Sequence, residues 1–318
     1  KAFLKQRPAV SWDHPGIYIK KRSRREIHPA CFSFSVRPTA HVPEFYPPGP
    51  DSAHPDFPQG RQRAVLPAAV SPTWDVELQT VHSAPQPDTG RSGYGRSNFD
   101  IVIGCDEVGR GCLAGPVMVG ACAFSVPSVL SKAAGSLFPA GLKDSKMLSE
   151  KKREQLVDPV QEWCDTYAVG SSTNREIDRQ GIMAALGAAA ARAIRHILET
   201  ADCPCRKAAV ILDGPHDYIT PVITPTIEAG SAAYPVISGC GIEVFPVVKG
   251  DQKCISVAGA SVIAKVTRDR YMVGLASCHP EWEAYAWQKN KGYGSAEHRR
   301  AIRLYGATPY HRVSWKLV

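Results

Sequence analysis

Apolar positions are grouped into regular blocks over the last two thirds of the chain and scattered over the first third. Ile101-Val102-Ile103 is a short buried-strand pattern within 100–106 that runs straight into acidic residues. Pro116 to Phe124 (PVMVGACAF) is a second one. The glycine-rich connection between them is short, which predicts an antiparallel pair. Ser149 has the position of an N-cap for a charged amphipathic helix from Glu150 to about Cys164. Thr166 to Ser172 predicts a strand. Asn174 to about Glu199 predicts one or two helices, the second alanine-rich from Gly181. Strands are expected at 208–212 and 243–248, with a Pro-, Gly-, Thr- and Ser-rich connection between them. Helices are expected from Ile255 to about Ser277 and from Ala296 to Leu304. Strands early and helices late predict an α/β fold: a mixed β-sheet flanked by helices, with a helical C-terminal part.

The first third differs in kind. Fourteen of the chain's 26 prolines fall within residues 1–97, which excludes a long helix or a central strand there. That segment also holds 13 Lys/Arg against 8 Asp/Glu, so it supplies most of the net charge of +8. Residues 1–97 are expected to be a basic, Pro-rich, disordered extension, and 98–318 one folded domain. The run Lys20-Lys21-Arg22-Ser23-Arg24-Arg25 suits a nuclear signal or a nucleic-acid contact. The basic, acid-poor start suits a mitochondrial transit segment, and a mitochondrial location is expected ahead of a nuclear or cytoplasmic one.

No apolar stretch reaches the ~18–20 residues that span a bilayer, so no membrane association is expected. Ten cysteines without framework spacing predict reduced, intracellular thiols, mostly small core residues. Cys203-Pro204-Cys205 lacks a second pair or a nearby His at ligand spacing, and zinc is not expected.

The chemistry lies in four acids. Asp106 and Glu107 follow the first strand pattern, Asp213 follows Val210-Ile211-Leu212, and Asp251 follows Val247-Val248-Lys249-Gly250. Carboxylates gathered at strand ends repel one another and raise one another's pKa unless a cation is present. Hard oxygen donors without thiolate or imidazole select Mg²⁺ or Mn²⁺. Two such ions about 3.5–4 Å apart suit attack on a phosphodiester. Adjacent strand residues face opposite sides of a sheet, so Asp106 and Glu107 share a site only where the strand ends or bends. Gly109 and Gly111 are placed to give that freedom.

Five blocks carry a resemblance: CDEVGRGCLAGPV at 105–117, LKDSKMLSEKKR at 142–153, ILDG at 211–214, VVKGDQKCISVAGASVIAKVTRDRYM at 247–272 and KGYGSAEH at 291–298. In this order they resemble ribonuclease HII, the type 2 ribonuclease H, in its bacterial-like branch, over about residues 100 to 315. The resemblance implies a metal-dependent endoribonuclease, acting as a monomer, that cleaves RNA in RNA–DNA hybrids and duplex DNA 5′ to single embedded ribonucleotides. Ends of 3′-hydroxyl and 5′-phosphate are implied, as are two Mg²⁺ or Mn²⁺ ions held by Asp106, Glu107, Asp213 and Asp251. It further implies that Gly109-Arg110-Gly111 and Tyr293 recognise the ribonucleotide at the junction, and that Lys146, Lys265 and Arg268 contact phosphates. Lys265, Arg268 and Asp269 also have the spacing of pairs along a helix face. Two departures from the family's pattern stand out. Asn290 replaces the usual His before KGY, and 38 residues separate Asp213 from Asp251, which predicts an insertion near 216–241.

Gly109, Gly111 and Ala114 also satisfy a dinucleotide-binding spacing. Two carboxylates ahead of them would repel a pyrophosphate, however, and a strand follows where a helix is required. A non-catalytic hybrid-binding subunit is the alternative function; it should lack at least one of the four acids, and none is missing. Neither G-x-S-x-G nor H-E-x-x-H occurs.

Overall fold

The computed structural model describes residues 17–18, 71–82, 99–200, 205–223 and 239–318. A two-residue strand β1 (Ile17–Tyr18) and helix α1 (Asp75–His82) precede the main run of elements. Then come β2 (Ile101–Val108), β3 (Val117–Ser125), α2 (Val126–Ala134), α3 (Glu150–Trp163), β4 (Thr166–Ser172), α4 (Asn174–Gln180) and α5 (Ile182–Thr200). After these follow β5 (Lys207–Asp213), α6 (Thr220–Ile223), β6 (Gly241–Val247), α7 (Gly250–Lys253), α8 (Ile255–Cys278), α9 (Trp287–Asn290) and α10 (Ala296–Tyr305).

The strands form one mixed sheet in the order β1-β4-β3-β2-β5-β6. β2 is antiparallel to β3 and parallel to β5, which is parallel to β6, so the C-terminal ends of β2, β5 and β6 share one edge. That edge is where the acids lie. Alternation along β2 and β3 divides the core. Val102, Met118, Cys122 and Phe124 pack beneath α8 and α3, whereas Ile103, Cys105, Val119, Ala121 and Ala123 pack beneath α5. Both helices lie close because the sheet is glycine at their crossings. A Cβ at Gly120 would come 2.4 Å from the Ala260 carbonyl oxygen, and one at Gly170 would come 2.0 Å from that of Ala189.

The Ser149 cap holds, since its side chain accepts from the Lys152 N–H at the start of α3. The region 174–200 divides at Gly181, whose φ of 82° ends α4 before α5 begins.

Three expectations change. First, residues 71–82 are not structureless: α1 packs Val81, and Trp74 just ahead of it, into the core. The proline count missed this because prolines are sparse in that stretch. Second, β2 continues two residues beyond Asp106, paired with β3 as far as Val108↔Met118. Third, the connection after Asp213 opens with ordered residues that serve the fold. β5 and β6 are parallel, and a parallel pair requires a crossover of a dozen or more residues. Tyr218 and Ile219 in it are buried against α5. The basic run at 20–25, Cys203, Pro204 and residues 224–238 lie outside the described residues. None of the helices among the described residues is long and apolar enough to cross a membrane.

Candidate active site

Asp106 is 3% exposed on the α8 face of β2, where Ser261 of α8 hydrogen-bonds its carboxylate. Burial, then the charge of Asp213, hold its pKa well above the usual carboxylate range. Asp213 ends β5, and its Oδ1 accepts the backbone N–H of Asp251 at 3.3 Å. That bond joins the end of β5 to α7, which Lys249 starts in a left-handed conformation at φ 57°. The Asp251 carboxyl is pushed up to about 6 by burial and by Asp213 and Asp144. Lys146 opposes this, its Nζ standing 3.4 Å from Asp251 Oδ2.

Glu107 follows the strand's alternation to the opposite side. Its carboxylate takes the Tyr218 hydroxyl at 3.3 Å and stands 3.4 Å from the Arg110 guanidinium. The expected bend between Asp106 and Glu107 is therefore absent, because pairing with β3 keeps both residues extended. Glu107 nonetheless still contributes to the field that raises Asp106. As they stand, no three Asp, Glu, His or Cys side chains among the described residues converge closely enough to enclose an ion.

The donor chemistry nevertheless suits a hard divalent cation. The three aspartates offer only carboxylate oxygens, and the neighbouring Cys105 thiol is held protonated by burial and by Asp106. A cation already sits among them in the form of the Lys146 ammonium. Burial would lower its pKa, but Asp106, Asp251, Asp144 and Asp213 together raise it. The 3₁₀ turn Ser145–Met147 presents Lys146, with Asp144 capping the Lys146 N–H and Ser145 joined to Ser261 Oγ at 2.8 Å.

The glycine loop and the KGY segment form one unit beside the acids. Leu113 N donates to the Gly292 carbonyl at 2.8 Å, and Cys112 bridges Tyr293. Gly109 requires its identity, because φ is 82° and a Cβ would lie 2.1 Å from Arg268 Nε. Gly111 has no such need, and a Cβ there would meet nothing within 4 Å, so the loop's outer side is open. Tyr293 is 39% exposed, with the Lys265 ammonium 5.5 Å and the Arg268 guanidinium 5.7 Å from its ring centre. Burial and Cys112 push its hydroxyl up to about 12. Asn290 shapes the turn ahead of it, accepting from Gly292 N at 2.8 Å and donating to Tyr285 O at 2.7 Å.

Arg268 is not placed where a phosphate contact was expected. It is fully buried, and its guanidinium donates to the carbonyls of Pro116, Lys291 and Ala114. Lys265 takes the helix-pair option, 2.8 Å from Asp269 Oδ1. A second buried guanidinium, Arg312, went unnoticed in the sequence. It donates to Gly109 O at 2.7 Å, Arg110 O at 2.8 Å and Gly115 O at 3.2 Å. No periodicity marks it, because its partners are backbone atoms some two hundred positions earlier. Tyr218 was hidden likewise, inside the presumed insertion.

Comparison with known proteins identifies the family. A family model described as Ribonuclease HII matches residues 103–318. A "Ribonuclease HII" of Streptomyces avermitilis is 38% identical over 234 residues, 74% of this chain and 84% of that protein. One of Paracoccus denitrificans is 40% identical over 223 residues, 69% of this chain and 87% of that protein. Among solved structures, a Bst ribonuclease HIII in complex with Mn²⁺ superposes with a TM-score of 0.50 at 21% identity, over 68% of this chain and 67% of that one, a likeness of fold.

Proposed function

The chain belongs to the ribonuclease HII family and is a ribonuclease H, an endoribonuclease of RNA–DNA hybrids, and we propose that it requires Mg²⁺ or Mn²⁺ held by Asp106, Asp213 and Asp251, with Glu107, one residue before the end of β2, reaching the ions around that strand end. In this reading it also cuts duplex DNA 5′ to a single embedded ribonucleotide, leaving 3′-hydroxyl and 5′-phosphate ends. The observation that carries it is the meeting of the acids at one end of the sheet, where Asp213 Oδ1 accepts the Asp251 N–H at 3.3 Å, the Lys146 ammonium stands 3.4 Å from Asp251 Oδ2, and the charge of Asp213 raises Asp106. A pair of bound ions would supply a water nucleophile at neutral pH and offset charge on the leaving oxygen.

The rest is work for the chain's own groups. Tyr218 and Arg110 aim the Glu107 carboxylate. Lys146 is exposed and flexible, and its ammonium can serve a phosphate in place of Asp251. The open side of Gly111 lets a ribose approach the backbone, where a 2′-hydroxyl distinguishes RNA from DNA. Tyr293 offers a ring face for the following deoxyribose, where a 2′-oxygen would be crowded.

The decisive assay is a labelled DNA duplex with one ribonucleotide, with and without Mg²⁺, beside an all-DNA duplex. One cut 5′ to the ribonucleotide is expected, only with Mg²⁺, and none in the control. Tight binding without cleavage under either condition would identify a hybrid-binding subunit instead.

A further inference from the structure

The segment 71–82 precedes the matched region 103–318, yet it is fastened to the turn that carries Asp251. Thr73 N donates to Lys253 O and Thr73 O accepts from Ile255 N, both at 3.0 Å, a parallel bridge across Cys254. Those residues join α7 to α8. Four positions on, Glu77 is fully buried, and its Oε1 accepts from Ser256 N at 2.8 Å and Ser256 Oγ at 2.6 Å. The N-cap of α8, Cys254, offers no side-chain bond, so a carboxylate from another element satisfies an otherwise orphaned N–H at the positive end of that helix.

Ser256 in turn presses on β2. A Cβ at Gly104 would lie 2.4 Å from the Ser256 carbonyl carbon and 2.5 Å from its Oγ. Gly104 is two residues ahead of Asp106, on the same face of the strand. One side chain therefore bears on the supports of two of the acids. Trp74 anchors the segment, its ring centre 5.2 Å from that of Phe124 and 5.5 Å from that of Trp163. The arrangement is costly, since burial pushes the Glu77 carboxyl up to about 7 and its second oxygen has no hydrogen-bond partner among the described residues.

We propose that residues 71–82 are a working part of the acidic site and that Glu77 is a positioning residue, which through Ser256 fixes the Lys249–Cys254 turn so that Asp251 faces Asp106 and Asp213. The inference rests on the reading of those acids as metal ligands.

Mn²⁺ binding to the full chain, measured by titration calorimetry without substrate, tests it. Glu77→Ala should weaken binding about tenfold, as expected for outer partners of metal ligands. Glu77→Gln keeps an accepting oxygen and should restore most of the affinity. Val129→Ala, a buried change in α2, should lower stability and leave affinity unchanged. Should Glu77→Ala fail to fold, Ser256→Ala removes only the hydroxyl bond and should give a smaller loss in the same direction. Unchanged affinity in the Glu77 and Ser256 variants, or an equal loss in Val129→Ala, would overturn the inference. Asp251→Asn, run alongside, should bind Mn²⁺ weakly; affinity equal to the parent's would overturn the metal-ligand reading, and the inference with it.

Discussion

Two neighbouring regions handle charge in opposite ways. At the acidic edge, like charges are crowded together and the pKa values of Asp106 and Asp251 rise. Beneath the glycine loop, two like-charged guanidiniums are buried completely, yet Arg268 and Arg312 each donate to three carbonyls. The first region stores repulsion that a divalent cation can relieve, and the second spends its charges on holding a shape. Burial alone, then, does not mark a catalytic group. What separates the two is whether the charge is already satisfied by the protein.

The contrast predicts opposite mutational signatures. The largest effect belongs to the acids. Asp106→Asn or Asp213→Asn should reduce cleavage by at least about 1000-fold, the equivalent of several kcal/mol of lost metal assistance. Without metal, Asp106→Asn should leave the fold as stable or more stable. A carboxyl whose folded pKa is raised adds stability below its unfolded pKa and loses it as pH rises, so at neutral pH the parent bears the cost. A strongly destabilised Asp106→Asn would break the contrast.

Next comes Arg312→Ala, which should cost about 3 kcal/mol or more in chemical unfolding, because buried carbonyls lose their donor. Arg312→Lys should not restore it, since one ammonium cannot span Gly109, Arg110 and Gly115.

Acid should weaken the same region through its histidines. His298 Nε2 and His311 Nε2 are 3.0 Å apart, and Trp287 Nε1 donates to His298 Nε2. Burial, then the neighbouring His298, lower His311 to about 4. For a histidine depressed on folding, stability is complete above the unfolded pKa of about 6.5 and declines as pH falls towards the folded value. The unfolding free energy from urea titrations should therefore fall between pH 6.5 and 4 by roughly 2–3 kcal/mol relative to His311→Gln. A parallel decline in that variant would clear the pair of the effect.

The smallest effect sharpens the assignment of recognition. Tyr293→Ala should lose about tenfold more activity on a single embedded ribonucleotide than on a long hybrid, the scale of one aromatic contact. Equal losses on the two substrates would remove Tyr293 from junction reading.

The acids were legible in the sequence because an apolar strand pattern runs into Asp106-Glu107 and into Asp213 and ends shortly before Asp251, and a shared edge follows once β2, β5 and β6 run the same way. Side-chain direction was less legible. Extension of β2 through Glu107 depends on pairing with β3, a contact between segments that no local pattern encodes. Arg268 shows the same limit from the other side. The resemblance implied a phosphate contact and helical spacing a pair along the helix face, but the loop at 109–116 folds over it and takes donors of its guanidinium. The direction of β6, and hence the need for a crossover after Asp213, could not be read from composition. Tyr218, in that crossover, was missed with it.

The Arg312 bonds span 202 and 203 positions to reach Arg110 and Gly109. During synthesis the glycine loop leaves the ribosome long before the side chain that fixes its form. A nascent or truncated chain lacking that last stretch carries all four acids without a set glycine loop, so under the proposed function discrimination between RNA and DNA would mature after the acids have assembled.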